Sequence, residues 1–178
     1  MLIKARMGIS ADGYAGTEEG IPVFAVTPGF EPGASHGYPE FIKGCDAVVI
    51  GRRSFLPALG APRWPWEGLQ VYVLTSSPLP PGTPDDVVVG SDGPAALAEQ
   101  LRSRPSGGDV HLVGGVRTIR AFHEVGALDR LGLVVLPILL GQGEPLSPPG
   151  APAMPLRLLG SGQTFPDGSV ELTYAPAG

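Results

Sequence analysis

The chain has 178 residues, enough for one domain with a sizeable core, and 43% of them are hydrophobic. Its formal net charge of −5 excludes the basic footprint of a general nucleic-acid binder. A single cysteine, Cys45, excludes an internal disulfide and any multi-cysteine metal site, and no run approaches the ~20 apolar residues of a membrane span.

The 27 glycines and 21 prolines would suit a disordered chain if the apolar residues were scattered. They come instead in compact blocks at 47–50, 71–74, 87–89, 110–113 and 131–140. The Gly and Pro therefore belong to turns and loops around a sheet. The N-terminus carries no apolar stretch of signal-peptide length, so a cytoplasmic protein without a membrane or nucleic-acid partner is expected.

Residues 2–9 read as a first strand and Ser10-Ala11-Asp12-Gly13 as a turn. Residues 17–39 form a long Gly/Pro-rich segment, a length more typical of functional lids than of plain connections. The pattern predicts a short helix over 38–43, with Gly44 near its end, and a strand over 46–50 that Cys45 precedes as a core residue. Gly51-Arg52-Arg53-Ser54 opens another short helix ending near Leu59. A loop carrying Trp64-Pro65-Trp66 leads to a strand over 69–75, a loop over 76–83 and a strand over 86–89.

Ser91-Asp92-Gly93-Pro94 then combines a capping side chain with a proline in the first turn, and starts a helix that buries Leu97 and Leu101. A strand over 109–113 runs into a helix with Val116, Ile119, Phe122 and Val125 at near-helical spacing, ended by Gly126. Residues 130–136 are apolar on both faces, as in a central strand. Residues 156–159 and 169–174 read as a closing antiparallel pair. Alternating strands and helices followed by strands predict an α/β sandwich on a mostly parallel sheet with an antiparallel edge, in one domain over 1–178.

Two strand-to-helix junctions carry the clearest chemistry. At Gly114-Gly115 bare backbone meets a helix N-terminus, where N–H groups and the helix dipole favour an anion, and Arg117 is close enough to pair with it. The plain alternative is a tight turn that needs glycine torsions. The spacing is not G-x-G-x-x-G, so the common dinucleotide fingerprint is absent. At Gly51-Arg52-Arg53-Ser54 two cations sit where the helix dipole opposes them, a local conflict that suggests an anion partner rather than a solvated turn.

Thr75-Ser76-Ser77 offers hydroxyls to a ribose or phosphate, or is an ordinary loop. Asp12 serves a substrate's polar edge, a proton transfer or only an Asp-Gly turn. Trp64-Pro65-Trp66 covers a ligand or fills a packing gap. His36, His111 and His123 have no ligand-like spacing, so no metal site is expected.

In chain order these pieces resemble the dihydrofolate-reductase-like superfamily, and within it the stand-alone bacterial proteins similar to the C-terminal reductase domain of the bifunctional riboflavin biosynthesis enzyme. The likeness rests on six stretches: 10–16 (Ser-Ala-Asp-Gly-Tyr-Ala-Gly), 47–54, Trp64-Pro65, Leu112-Val113-Gly114-Gly115, 126–131, and 136–146. It implies a three-layer α/β/α sandwich on a mixed, mostly parallel sheet with antiparallel C-terminal strands, and NADPH as cofactor. By that likeness Arg52, Arg53 and Ser54, after Gly51, would meet the 2′-phosphate and pyrophosphate side, helped by Thr75, Ser76 and Ser77. Val113, Gly114, Gly115, Val116, Arg117 and Thr118 would hold the pyrophosphate. The backbone from Asp12 to Gly16 would line the nicotinamide and substrate pocket, residues 137–146 would close it or support a homodimer, and a small-molecule substrate would accept the hydride.

Two departures from the family pattern stand out. The first-helix carboxylate by which dihydrofolate reductases protonate a pterin has no counterpart at Ser35-His36-Gly37, and Glu31 and Glu40 are out of register. If a side chain supplies the proton, Asp12 is the first candidate and His36 the second, with water as the alternative. A catalytically silent nucleotide-binding module on the same fold is the competing reading. The second departure is Asp129-Arg130, where many relatives have Asp-Glu.

Overall fold

Each of the five apolar blocks carries a strand in the computed structural model, which describes residues 1–30, 36–105 and 107–177. In chain order the elements are β1 (Ile3–Ser10), β2 (Tyr14–Gly16), α1 (Val23–Val26), α2 (Tyr38–Ile42), β3 (Cys45–Gly51), α3 (Arg52–Phe55), β4 (Gln70–Leu74), β5 (Val88–Gly90) and α4 (Gly93–Arg102). There follow β6 (Asp109–Gly114), α5 (Val116–Glu124), β7 (Arg130–Leu136), β8 (Glu144–Pro145), β9 (Leu156–Leu158), β10 (Gln163–Thr164) and β11 (Val170–Pro176). Part of the long segment over 17–39, with Glu31 and Ser35, lies outside the described residues.

The chain gathers into two compact units, one of residues 1–5 and 42–129, the other of 6–41 and 130–178, and β1 contributes to both. In the first unit the strands run parallel in the order β1-β6-β3-β4-β5. Its core is built where the apolar strands meet the short α3: Val48, Ile50, Phe55, Trp66, Val71 and Val73 are buried together. Phe55 stacks on Trp66 at 6.3 Å between ring centroids, and Trp64 meets Trp66 edge-on at 5.1 Å. The Trp64-Pro65-Trp66 loop is thus packing material, and Trp66 keeps only 6% exposure.

In the second unit the order is β10-β11-β7-β1, with β9 also on β11. The β7–β11 pair is antiparallel, from Val170 opposite Val135 to Tyr174 opposite Leu131. β2 and β8 form a separate two-stranded ribbon. Val23, Val134 and Leu136 pack there, flanked by Phe30, Ile138 and Leu140. The fold is α/β on a mixed, mostly parallel sheet, with the antiparallel strands at the C-terminal end of the chain as expected.

Three local expectations need correction. The helix from Gly51 to Leu59 breaks after Phe55 into a 3-10 turn over Leu56–Gly60, because Pro57 lacks the N–H that would continue the α pattern. Asp92 makes no side-chain cap on α4. Gly93, at φ +90°, and Pro94 set that start instead, and Ser91 Oγ turns to Asp92 Oδ1 at 3.3 Å. Cys45 opens β3 half-buried rather than in the core, and burial raises its thiol pKa.

Candidate functional site

Parallel pairing brings the C-terminal ends of β3, β4 and β6 to one edge of the first unit: Ile50 lies opposite Gly114, and Gly51 opposite Leu74. Open α/β sheets bind ligands outside the carboxyl ends of such strands. Here that edge carries all three stretches singled out in the sequence: 51–54, 75–77 and 113–118.

The β3 and β6 junctions interlock. A Cβ on Gly51 would stand 2.6 Å from Thr118 Oγ1, and a Cβ on Gly115 would stand 3.3 Å from Ser54 Oγ. Both glycines therefore answer to close approach, and the two expected anion sites meet. The Gly114–Gly115 peptide bond is cis, and Gly114 takes φ +122°, a conformation that suits glycine alone. Gly115 is the N-cap residue of α5 and its carbonyl accepts from Thr118 N at 3.0 Å. The N–H groups of Val116 and Arg117 precede the first intrahelical donor, as at any helix start.

The side chains here sort by what they touch. Arg117, Arg53 and Ser54 are exposed, and among the described residues no carboxylate pairs with Arg52, Arg53 or Arg117. Arg52 donates from a guanidinium nitrogen to the Pro78 carbonyl, which steadies it over the loop after β4. Thr118 is 6% exposed, and its hydroxyl makes no hydrogen bond to the described residues. An anion with oxygen acceptors fits this set: cations without a carboxylate partner, the amides of a helix start and a hydroxyl with no hydrogen bond to the described residues. Val113 and Val116 contribute backbone only, because Val113 packs against the Phe55 cluster and Val116 is 3% exposed. The Thr75 hydroxyl is already engaged, accepting from Ser77 N at 3.0 Å.

Asp12, Gly16 and His36 belong to the second unit. The Asp12 carboxylate accepts from Ser10 Oγ at 2.6 Å, from Leu140 N at 3.1 Å and from Gly141 N at 2.7 Å. The Ser10 hydroxyl and the Gly141 amide do most to hold its pKa at about 2. Asp12 is thus held as the carboxylate and ties the Leu140 and Gly141 backbone to the β1–β2 turn. Gly16 is required by packing, since a Cβ there would stand 2.6 Å from Ile21 O.

His36 belongs to a different network. Its Nε2 lies 2.7 Å from Asp167 Oδ2, and its ring stacks on Phe30 and meets Phe165 edge-on. Its carbonyl accepts from Arg6, whose guanidinium is held by Glu171 at 2.8 and 3.0 Å. Ser169 Oγ donates to Asp167 Oδ1 at 2.6 Å, the main reason that carboxyl sits at about 2. Sequence reading missed Asp167, Ser169 and the Arg6–Glu171 pair. The one local signal was Asp167-Gly168-Ser169, an Asp followed two residues on by an N–H it can cap.

Among the described residues no three His, Cys, Asp or Glu side chains gather as a metal would need, and no helix is long and apolar enough to cross a membrane.

The strand order and layers define an α/β protein on a mixed, mostly parallel sheet. Residues 2–168 match the RibD C-terminal domain, and the chain belongs to that family. It is 27% identical over 158 residues to the uncharacterized Bacillus subtilis (strain 168) protein YwjB, covering 88% of each chain. It is 24% identical over 148 residues to that organism's uncharacterized YyaP, covering 78% of each. Among solved structures it superimposes on a candidate riboflavin biosynthesis protein from Shewanella sp. PV-4 with TM-score 0.83 at 22% identity, covering 99% of both chains. A Thermotoga maritima diaminohydroxyphosphoribosylaminopyrimidine deaminase/5-amino-6-(5-phosphoribosylamino)uracil reductase gives TM-score 0.71 at 15% identity, with 99% of this chain covering 56% of that one. These two structural likenesses show the fold.

Proposed function

We propose that the chain is an NADPH-dependent reductase that passes hydride to a C=N or C=O of a small heterocyclic or sugar-amine substrate. One observation carries this reading: the reciprocal contact of Gly51 with Thr118 and of Gly115 with Ser54, which joins two cation-bearing strand ends into one anion seat. The first turn of α5 and Arg117 suit a pyrophosphate. Arg53, beside an Arg52 steadied on Pro78, suits the extra phosphate that separates NADPH from NADH. The hydroxyls of Thr118 and Ser54 add donors. NADPH supplies the hydride; the chain binds it, orients it and keeps water away.

The family supports the reductase class, and one solved relative is named as a 5-amino-6-(5-phosphoribosylamino)uracil reductase. On the substrate side we assign the 10–16 turn and the 138–146 loop. Asp12 holds that loop in place, and the proton comes from Asp12, from His36 or from water. A homodimer and a cytoplasmic location complete the reading, and light scattering tests the first of these.

Calorimetric titration with NADPH and NADH decides the cofactor. NADPH is expected to bind at least tenfold tighter, since a charge-assisted contact contributes about 1.5–3 kcal/mol. Equal affinities, or no binding, would overturn the assignment. NADPH that binds but keeps its reduced-nicotinamide absorbance across a panel of carbonyls and imines would favour the silent binding module.

A further inference from the structure

Three of the eight aspartates are followed directly by glycine: Asp12-Gly13, Asp92-Gly93 and Asp167-Gly168. Such a pair can react with itself. The glycine nitrogen attacks the aspartate Cγ, an N–C bond forms, and the hydroxyl of the neutral carboxyl leaves with the amide proton as one water. The product is a succinimide ring. Water then opens the ring at either carbonyl. At Cγ it restores aspartate; at the main-chain carbon it leaves isoaspartate, with the main chain running through Cγ. Nothing is oxidised or reduced, and water is the only co-reactant. The other five aspartates precede Ala, Asp, Val or Arg, whose side chains crowd the attacking nitrogen.

The reaction needs a glycine nitrogen that is not engaged, a carboxyl free to turn, and a backbone that can rotate to bring them together. Two of the three sites are denied these. Gly13 N donates to Ser10 O at 2.9 Å, and the Asp12 carboxylate accepts from Ser10 Oγ, Leu140 N and Gly141 N. Gly168 N donates to Phe165 O at 3.0 Å. The Asp167 carboxylate accepts from Ser169 N at 3.0 Å and Ser169 Oγ at 2.6 Å, and lies 2.7 Å from His36 Nε2. Their hydrogen bonds hold both carboxyls at about 2, so the neutral form that loses water is scarce near neutral pH.

Asp92 has neither restraint. It is exposed, makes no side-chain cap on α4, and meets only Ser91 Oγ, at 3.3 Å. The Gly93 N–H makes no hydrogen bond to the described residues. As the first residue of α4 it is one of the donors that a helix leaves without an intrahelical partner. A Cβ on Gly93 would have no atom within 4 Å, so a ring has room to form. Asp92, at φ −86° and ψ 10°, must rotate about ψ to close it, and local opening costs least at a helix end.

We infer that Asp92 is a site of spontaneous isoaspartate formation in the folded chain, and that the hydrogen bonds at Asp12 and Asp167 protect the other two Asp-Gly pairs. The product carries one more carbon in its main chain at the start of α4. Asp92 lines the groove between that helix and Val125–Ala127, so the displaced carboxylate changes the charge placed there. The same bonds that shape the 10–16 turn and the His36 network keep their own aspartates intact.

The test follows the full chain, folded and in urea, through a long incubation near neutral pH in water of heavy oxygen. Digestion and mass spectrometry then read the heavy oxygen in each of the three Asp-Gly peptides, and fragmentation identifies isoaspartate. The label enters where water opens a ring, so it counts every passage through the succinimide, including those that return aspartate. The rate in urea divided by the rate in the folded chain is the protection at each site. Protection at Asp12 and at Asp167 is expected to be at least tenfold greater than at Asp92, with isoaspartate appearing first at Asp92. Asp92→Glu, whose longer side chain closes such a ring far more slowly, should remove the product from that peptide. The inference is overturned if either of the other sites is protected less than tenfold beyond Asp92, or if the Asp92→Glu peptide takes up label as the parent does.

Discussion

Thr118 Oγ1 approaches the Cα of Gly51 so closely that a methyl group on that glycine would stand 2.6 Å from the oxygen. The first turn of α5 is therefore seated on the last residue of β3. Gly51→Ala should lower stability by about 1–3 kcal/mol, the usual cost of overpacking, and weaken NADPH binding. Adding Thr118→Ala removes the opposing oxygen and should return most of the lost stability. Urea melts of the two single variants and the double variant read this as a coupling energy. A Gly51→Ala protein as stable as the parent would refute the contact's importance.

Arg53 and Arg117 should differ in what they report. Arg53→Ala is expected to lower NADPH affinity about tenfold or more and to leave NADH nearly unchanged, closing the gap between the cofactors. Arg117→Ala should lower both alike, because both carry a pyrophosphate. Calorimetry with each cofactor separates the two patterns; identical profiles would mean that the phosphates are not divided as assigned.

Asp12 makes a pH prediction with a definite sign. Its carboxyl is lowered from 3.8 to about 2 in the folded chain. The stabilisation it gives is complete above the unfolded value and fades as pH falls through about 2. Hydrogen exchange at the Leu140 and Gly141 amides should show protection lost across that window. Asp12→Asn should abolish the transition and leave these amides less protected at neutral pH. Asp167 is also lowered to about 2, so a global acid melt would mix the two groups; residue-resolved exchange is the measurement required.

Two glycines of the 138–146 loop offer a matched comparison. Gly143 takes φ +143°, and a Cβ there would run into Gly16 O; Gly141 takes φ +73° with no atom within 4 Å of a Cβ. Gly141→Ala should cost about 1–2 kcal/mol, the torsional penalty alone. Gly143→Ala should cost about 3 kcal/mol or more, because clash adds to torsion. Guanidinium unfolding midpoints read both, and equal losses would show that the loop yields around Gly143.

The strands were legible because each apolar block is short and bounded by Gly, Pro or Ser, and because 130–136 is apolar on both faces. The two junctions of the candidate site were legible as strand-to-helix turns, because each places glycine directly after an apolar strand. What escaped was set by distant partners. Nothing near Asp12 announces that its carboxylate will hold Leu140 and Gly141, more than a hundred residues away in the chain. Nothing near His36 announces Asp167. Trp64 and Trp66 looked as suited to a ligand as to a core, and only the position of Phe55 decides between them. The interruption of the helix after Gly51 has its signal in Pro57, which lacks the N–H to continue it.

The order in which the chain is written bears on how it is made. Every residue of the anion seat falls within the first 129, whereas the other unit draws its strands from both ends of the sequence and closes only when β11 arrives. At roughly 5–20 residues per second of synthesis, a few seconds separate the two. During that interval the growing chain holds every strand of the first unit while β1 still lacks β7 beside it, so that unit is available to fold before the other is complete.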